Sequence, residues 1–355
     1  MNPLLFVIVL LHLSLATAAN FTQVFEWPDG MDYEWPSETK RIQALQAGAF
    51  KPENIVPLFM AVFGSRIFLS LDKVDGIPVT LVSLPTSKAS TASPKLTPFL
   101  SWHMHEYGNC KNIEQPTGLE VDNVGRLWVL DSGSENCNSK LWIFDLSNHD
   151  QTVLIHHFPN AYYLHDLVLD ETPNGYFAYS TQWGENDIVA FSLEREESWT
   201  VKTPGMRVLS TALSPKEEPR QLYLGKYNST ELYSTSVAEL RNGNRTANPK
   251  PIGKWIGYNS YRMLMDNHGT MYAAFWEINY IISVNIYQPD QAQNFHEDEK
   301  MSTEWPFTFS LDSSGTFWMT EFIKTRTRPT YRLLKAAVGS KSYMSEPQTT
   351  GGRKC

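Results

Sequence analysis

The stretch 118–130, GLEVDNVGRLWVL, holds an apolar strand, a turn from Asp122 to Gly125 and a second strand that carries Trp128. The same pattern recurs as MLMDNHGTMY at 263–272 and as FSLDSSGTFW at 309–318. An Asp that opens such a turn bonds its own backbone, and the Gly supplies the positive φ that a hairpin needs. The stretch therefore predicts a β-hairpin, and its copies predict an internal repeat.

Three weaker copies of the hairpin make the spacing regular, and they are centred on Gly64, Asp170 and Ser214. The six turn positions 64, 122, 170, 214, 266 and 312 are separated by 58, 48, 44, 52 and 46 residues. This period is typical of a four-stranded blade with its loops. We predict an all-β, six-bladed β-propeller over residues 20–338. A multi-sheet sandwich built of similar hairpins is the alternative.

Closure of the predicted ring needs one strand from the start of the chain. Residues 21–27, FTQVFEW, alternate apolar and polar side chains and precede the first repeat. We expect them to complete the last blade, whose third strand is predicted at residues 330–334.

The two ends of the chain are expected to lie outside the propeller. Residues 4–15 are almost wholly apolar and precede the small residues 16–19, a pattern typical of a signal peptide and too short for a membrane span of roughly 20 residues. We predict a cleaved signal peptide over 1–19, with a structural apolar N-terminus as the alternative, and a mobile tail over 339–355. Sequons at Asn20, Asn228 and Asn244 agree with export and predict glycosylation.

Cysteine and charge content narrow the class of protein further. Cys110 and Cys137 bracket one strand-rich segment and are the natural disulfide pair, which leaves Cys355 over. The formal net charge of −8 argues against nucleic acid as a partner. After residue 19 no apolar stretch is long enough for a membrane helix. We therefore expect a secreted, soluble protein that binds neither nucleic acid nor membrane.

Several motifs resemble the landmarks of one family. The run 125–133, GRLWVLDSG, followed by KLWIFDL at 140–146, resembles the signature core of the Yellow/major royal jelly protein family. Upstream, YEWPS at 33–37 and PFLSW at 98–102, and downstream DIVAF at 187–191, are similar to family landmarks in the family order. The likeness covers most of the chain after the leader. It implies a relative of dopachrome-converting and pigmentation proteins, of binders of biogenic amines, or of nutritive secreted proteins.

Four departures from the family pattern concern the cysteines and the pocket. Asp72 and Lys73 stand where the family usually has Pro-Arg, Val124 stands at an expected Cys, and SVN at 283–285 stands where the family has Cys-Trp-Asn. Only one family-like disulfide can therefore remain. Residues 202–206, KTPGM, replace a longer aromatic loop over the ring mouth, so the family's pocket specificity does not transfer to this chain.

The chain has none of the strong catalytic or cofactor-binding signatures, and we expect no cofactor and no metal. In a propeller, polar residues where the inner strands begin converge on one mouth. The candidate site residues at that mouth are Asn54, Thr117, His165, Asp166, Ser210, Asn259, Tyr261 and Phe307. His165 and Asp166 form the most reactive pair, since a His beside a carboxylate can move protons near neutral pH. In the alternative interpretation, His165 bonds a neighbouring blade and Asp166 satisfies a turn.

Four functions remain open at this point. Aromatic side chains with an Asp suit a flat ring that bears an ammonium group, so binding of a small aromatic amine or a catechol- or indole-type ligand is the leading hypothesis. The second is a dopachrome tautomerase with His165 and Asp166 as the catalytic pair. The third is a calcium-dependent lactonase, for which Asp166, Asn259 and Glu321 could supply ligands. The fourth is a storage or signalling protein without small-molecule chemistry.

Overall fold

The structure is a computed structural model that describes residues 19–87, 93–106, 108–159, 163–254, 259–276, 278–288, 291–299, 307–323 and 329–346. The predicted signal peptide, apart from Ala19, lies outside the described residues, as do residues 347–355 of the predicted tail. All statements below concern the described ranges.

Six antiparallel sheets of four strands each make up the described chain, which confirms the predicted six-bladed β-propeller. Blade 1 contains β2 (Pro57–Phe63), β3 (Arg66–Leu71), β4 (Leu81–Pro85) and β5 (Thr97–Pro98). Blade 2 contains β6 (Pro116–Val121), β7 (Arg126–Asp131), β8 (Lys140–Asp145) and β9 (Gln151–His157). Blade 3 contains β10 (Leu164–Thr172), β11 (Gly175–Gln182), β12 (Asp187–Ser192) and β13 (Glu197–Lys202).

The second half of the ring repeats this plan. Blade 4 contains β14 (Val208–Leu213), β15 (Gln221–Lys226), β16 (Glu231–Ser236) and β17 (Lys250–Lys254). Blade 5 contains β18 (Ser260–Met265), β19 (Thr270–Phe275), β20 (Tyr280–Asn285) and β21 (Gln293–Glu297). Blade 6 contains β22 (Phe307–Leu311), β23 (Thr316–Ile323), β24 (Thr330–Ala337) and β1 (Thr22–Trp27).

Strand β1 closes the ring as predicted. It pairs antiparallel with β24, with Trp27 opposite Tyr331, and so becomes the outermost strand of blade 6. The N-terminal and C-terminal strands therefore share one sheet, and the ring has no free end between its first and last blades.

Helices are short and lie outside the blades. They are α1 (Glu38–Gln46), α2 (Val237–Arg241) and two 3-10 helices, Pro52–Asn54 and Trp102–His105. Within the described ranges, none of these helices has the length and apolar composition of a membrane span.

The repeated hairpin is held by its aspartate. Oδ1 of Asp122 accepts the backbone N–H groups of Val124 and Arg126, at 3.2 and 2.8 Å, and Gly125 has a φ of 83°. Oδ2 accepts the indole N–H of Trp128 at 2.9 Å. Asp312 and Trp318 repeat this last contact at 2.8 Å. The aspartate thus stabilises both the turn and the aromatic side chain six residues later, which explains why the two recur together.

Packing between blades forms the core. Inner strands of neighbouring blades approach so closely near the axis that a Cβ on Gly118 of β6 would lie 2.8 Å from Cβ of Leu167 in β10. Farther out, large side chains such as Trp128 and Trp142 fill the space between sheets and are no more than 1% exposed. The glycine and the tryptophans together fit the wedge shape of the gap between two blades.

The beginning of the predicted mobile tail is instead packed against the propeller. Tyr343 and Met344 are buried, Ser342 forms a bridge with Asp266, and the Tyr343 hydroxyl accepts the N–H of Leu169 at 2.9 Å. Residues 340–346 thus cover the end of the axis where the repeated hairpins lie. This packing was not predictable from the local sequence, because the segment is polar except for the side chains of Tyr343 and Met344, which are buried in the structure.

The disulfide between Cys110 and Cys137 is present, as predicted. It joins the segment before β6 to the loop between β7 and β8. The sequon residues Asn20, Asn228 and Asn244 are all exposed, as attachment of a glycan requires.

Candidate functional site

The mouth of the propeller is the end at which the inner strands begin. In five blades, the residue after the second strand donates its backbone N–H to the carbonyl of the residue before the inner strand. These pairs are Asp72 to Val56 (2.9 Å), Ser132 to Gln115 (2.9 Å), Trp183 to Tyr163 (2.7 Å), Tyr227 to Arg207 (2.8 Å) and Trp276 to Asn259 (3.3 Å). The five donors occupy equivalent positions around the axis. We call Asp72, Ser132, Trp183, Tyr227 and Trp276 the mouth ring.

A cavity of about 470 Å³, the axial cavity, opens among blades 1, 2 and 3. Asp72, Ser132 and Trp183 of the mouth ring line it together with Thr117 and His165. The ring of His165 lies 4.9 Å from that of Trp183, which is 39% exposed and therefore presents part of its indole to solvent. The buried hydroxyl of Thr117 has no hydrogen-bond partner among the described residues. An aromatic wall and an unsatisfied hydroxyl therefore face the same space.

Asp72 contributes the carboxylate of this cavity. Burial raises its pKa, and only the backbone N–H of Lys73 opposes that effect. Among the described residues no Lys, Arg or His side chain forms an ion pair with it. The next side chain, Lys73, belongs instead to a separate outer groove, where its Nζ donates to the carbonyl of Ile77 at 2.9 Å. Asp72 thus places on the cavity wall a partly buried carboxylate that has no cationic partner among the described residues.

Asp166 lies behind the axial cavity and does not line it. It is completely buried, and its oxygens accept the backbone N–H groups of Leu167 and Thr211 and a guanidinium N–H of Arg262, at 3.0, 2.8 and 2.7 Å. Burial raises the pKa of Asp166, and the charge of Arg262 counteracts the rise. The expectation that Asp166 faces a ligand is corrected by this geometry, because its hydrogen-bonding capacity is already used within the protein.

His165 lines the cavity but does not pair with Asp166. Its Nε2 donates to the carbonyl of Tyr261 at 3.3 Å, across the axis in blade 5. Burial lowers the pKa of His165 to about 4, a value that includes the opposing effect of the hydrogen bond to Tyr261 and the lowering effect of the nearby charge of Arg262. The imidazole is therefore neutral at pH 7, with its proton on Nε2. A neutral ring beside Asp72 does not repel a cationic ligand.

The remaining predicted residues lie apart from the axial cavity. The Tyr261 hydroxyl donates to the carbonyl of Phe307 at 3.0 Å, and both side chains are buried. The Asn54 amide donates to the carbonyl of Asp75 at 2.8 Å, and Oδ1 of Asn259 accepts the N–H of Asn228. Ser210 donates to the carbonyl of Ser260 at 2.7 Å. Of the predicted site residues, only Thr117 and His165 meet in the cavity.

Asp72, Ser132 and Trp183 line the cavity but were not predicted, because the prediction used only the residues at the start of each inner strand. The repeat could have predicted these positions, since each of the three residues directly follows the second strand of its blade. In an antiparallel hairpin that position lies beside the start of the inner strand and points to the same mouth.

The residues that were considered as calcium ligands do not form a metal site in the described structure. Within the described ranges, no three His, Cys, Asp or Glu side chains converge as metal ligands. Asp166 is bound to Arg262, and Glu321 accepts from Nε2 of His296 at 2.5 Å. These residues are engaged with protein groups rather than directed at one point.

Comparison with solved structures identifies the fold. A luciferin-regenerating enzyme superposes with a TM-score of 0.51 at 9% identity, over 81% of this chain and 93% of that one. A gluconolactonase from Xanthomonas campestris superposes with a TM-score of 0.52 at 10% identity, over 90% of this chain and 99% of the other. At such identities the likeness shows the propeller architecture alone.

Comparison of sequences finds relatives over about half of the chain. Residues 116–209 match the family described as major royal jelly protein. The protein yellow of Drosophila melanogaster is 29% identical over 195 residues, and that of Drosophila yakuba 30%. Each alignment covers 49% of this chain and 35% of the relative, so the match spans about a third of the length of these relatives. The motifs at 125–133 and 140–146 lie inside the matched region, so residues 116–209 carry the similarity to the Yellow/major royal jelly protein family.

Proposed function

We propose that this protein is secreted and binds a small aromatic amine of the catechol or indole type in the axial cavity. The observation that carries the proposal is the Asp72 carboxylate, which faces an aromatic-walled cavity and has no cationic partner among the described residues. A carboxylate held partly away from water gains from a bound ammonium, which also removes the cost of its burial.

The aromatic wall supports a flat ligand ring. Trp183 offers a partly exposed indole, and His165 packs against it as a neutral ring. Stacking and edge contacts of this kind contribute about 0.5–1.5 kcal/mol beyond burial of area. The unsatisfied hydroxyl of Thr117 can hydrogen-bond a catechol hydroxyl or an indole N–H.

Titration calorimetry with dopamine and serotonin tests the proposal. Asp72→Asn should weaken binding by about 1.5–3 kcal/mol, roughly 10- to 150-fold, the scale of a charge-assisted hydrogen bond. Asp75→Asn is the matched control, because it removes the same charge from the same loop, at a side chain that is 81% exposed and paired with Lys51. Equal effects of the two variants, or no heat of binding with wild-type protein, would reject the proposal.

A tautomerase acting on dopachrome is the second candidate, and the position of His165 favours it. An imidazole that is unprotonated at pH 7 and lines the cavity can accept a proton from a bound substrate. The weakness of this candidate is that Asp166 is bound to Arg262 and cannot assist the histidine. If the protein is a tautomerase, His165→Ala should lower turnover of dopachrome at least about 100-fold, measured by absorbance, while ligand affinity changes little.

Secretion is proposed from three independent features. They are the apolar leader at 4–15, the exposed sequon asparagines and the disulfide, which forms in oxidising compartments. Mass spectrometry of protein recovered from culture medium should find residues 1–19 removed and glycans on Asn20, Asn228 or Asn244. An intact leader on protein retained in the cells would contradict the proposal.

A further inference from the structure

A second cavity of about 350 Å³, the side cavity, lies on the other side of Trp183 between blades 3, 4 and 5. Its walls include three members of the mouth ring, Trp183, Tyr227 and Trp276, together with Arg207. The rings of Trp183 and Trp276 lie 5.3 Å apart at an angle of 59°. The side cavity is thus as aromatic as the axial cavity and shares one wall with it.

Strand register brings Arg207 to this place. Val208 begins β14 opposite Lys226, and the ladder continues by one step because Tyr227 donates its N–H to the carbonyl of Arg207 at 2.8 Å. Arg207 and Tyr227 therefore extend from neighbouring strands at the mouth. Only residues 203–206 separate the end of β13 from Arg207.

Arg207 carries a charge that the described protein does not compensate. No carboxylate of the described residues forms an ion pair or hydrogen bond with its guanidinium, in contrast to Arg220 and Arg241, which bind Asp170, and Arg262, which binds Asp166. A guanidinium matches a carboxylate in a two-pronged geometry, and aromatic walls favour a planar ring beside it. The side cavity therefore has the opposite charge preference to the axial cavity.

We propose that the side cavity is a second, independent ligand site that binds flat aromatic acids, with the carboxylate on Arg207 and the ring against Trp183, Tyr227 and Trp276. The two cavities then select ligands of opposite charge on the two sides of one tryptophan. This inference does not depend on amine binding in the axial cavity, since the two sites use different charged residues.

The test uses two probes that share an indole ring and a short side chain but differ in charge. Tryptamine is the cation, and indole-3-propionate is the anion. Titration calorimetry should show that both bind wild-type protein, and that saturation with one does not displace the other. Arg207→Gln should weaken indole-3-propionate at least tenfold and leave tryptamine within about twofold, with Arg207→Lys intermediate because it keeps the charge but loses the planar fork.

Arg245→Gln is the matched control, since Arg245 is an exposed arginine on the same face whose carbonyl accepts the N–H of Lys202. It should leave both affinities unchanged. Equal weakening by the Arg207 and Arg245 variants, displacement of one probe by the other, or failure of indole-3-propionate to bind would overturn the inference. Binding of indole-3-propionate without binding of tryptamine would uphold the inference and reject only the proposed amine site.

Discussion

The two ends of the propeller axis use the same residue types for opposite purposes. At the hairpin end, Asp122 accepts four hydrogen bonds from its own hairpin, and Asp170 is held by Arg220, Arg241 and the hydroxyl of Tyr179. At the mouth, Asp72 has no side-chain cation in the described structure. A carboxylate whose oxygens are saturated stabilises the fold, whereas one left unsatisfied beside a cavity is available to a ligand.

Tryptophans show the same contrast. Trp128 at the hairpin end is fully buried with its indole N–H on Asp122, while Trp183 at the mouth is 39% exposed and stands between two cavities. Burial and hydrogen bonding, rather than residue type, therefore separate structural positions from positions that line a cavity.

The largest effect is expected at the hairpin end, from Asp170→Asn. The substitution leaves the buried guanidinium of Arg220 without its carboxylate, and breaking such a pair costs about 3–5 kcal/mol. Urea denaturation followed by fluorescence measures the loss. Asp72→Asn at the mouth should leave the free energy of unfolding unchanged or raise it, because the substitution removes a partly buried charge that has no cationic partner among the described residues. Similar losses in both variants would remove the distinction between the two ends.

Removal of the disulfide, which lies on the mouth side of blade 2, should cause the next largest loss in the free energy of unfolding. Replacing Cys110 and Cys137 by serine opens a loop with a separation of 27 residues, which costs about 3.5 kcal/mol by loop-closure entropy. The free energy of unfolding of the double variant, compared with Cys355→Ser as control, measures this. An unchanged value would mean that hydrogen bonds alone hold this region.

His165 should make stability at the mouth depend on pH. Its pKa is about 4 in the folded protein and about 6.5 in an unfolded chain, so between these values the unfolded chain binds a proton that the folded protein excludes. The contribution of neutral His165 to the free energy of unfolding is therefore full above pH 6.5 and is lost as the pH falls toward 4. Between pH 7.5 and pH 5 the free energy of unfolding should fall by about 2 kcal/mol from this residue.

The pH dependence of the wild-type protein must be compared with that of a His165→Gln variant, because titration of Glu120 changes the unfolding free energy in the opposite direction. Burial raises the pKa of Glu120 to about 7, so its protonation favours the folded state as the pH falls. The difference in unfolding free energy between wild type and His165→Gln should shift by about 2 kcal/mol between the two pH values. A difference independent of pH would show that His165 titrates normally.

The smallest effect is expected at the wall shared by the two cavities. Trp183→Leu keeps an apolar side chain but removes the ring, so it should weaken tryptamine and indole-3-propionate by about tenfold each. Asp72→Asn and Arg207→Gln should each affect one probe only. Calorimetry on the three variants therefore distinguishes the contribution of the shared wall to binding from the contributions of the two charges. If Trp183→Leu weakened binding of only one probe, Trp183 would contribute to only one cavity.

The sequence by itself determined the architecture. The aspartate and glycine of each hairpin turn act through neighbours a few residues away, so their recurrence predicted six blades, and the alternation in residues 21–27 predicted the closing strand β1. The pairing of Cys110 with Cys137 was also predictable, because only one pair brackets a single segment. These inferences succeeded because the interactions behind them are local in the chain or repeat at a fixed period.

Only the tertiary structure decided which polar residues face a cavity. Asp166 and Asp72 are both aspartates near the mouth. The carboxylate of Asp166 is paired with Arg262, which is 96 residues away in the chain. No Lys, Arg or His of the described residues pairs with the carboxylate of Asp72. Likewise, residues 340–346 pack against blades 2, 3 and 5. These partners are far away in the chain, so the local sequence does not predict the contacts. Charge pairing across the axis depends on which blades meet there, and that is a property of the closed ring.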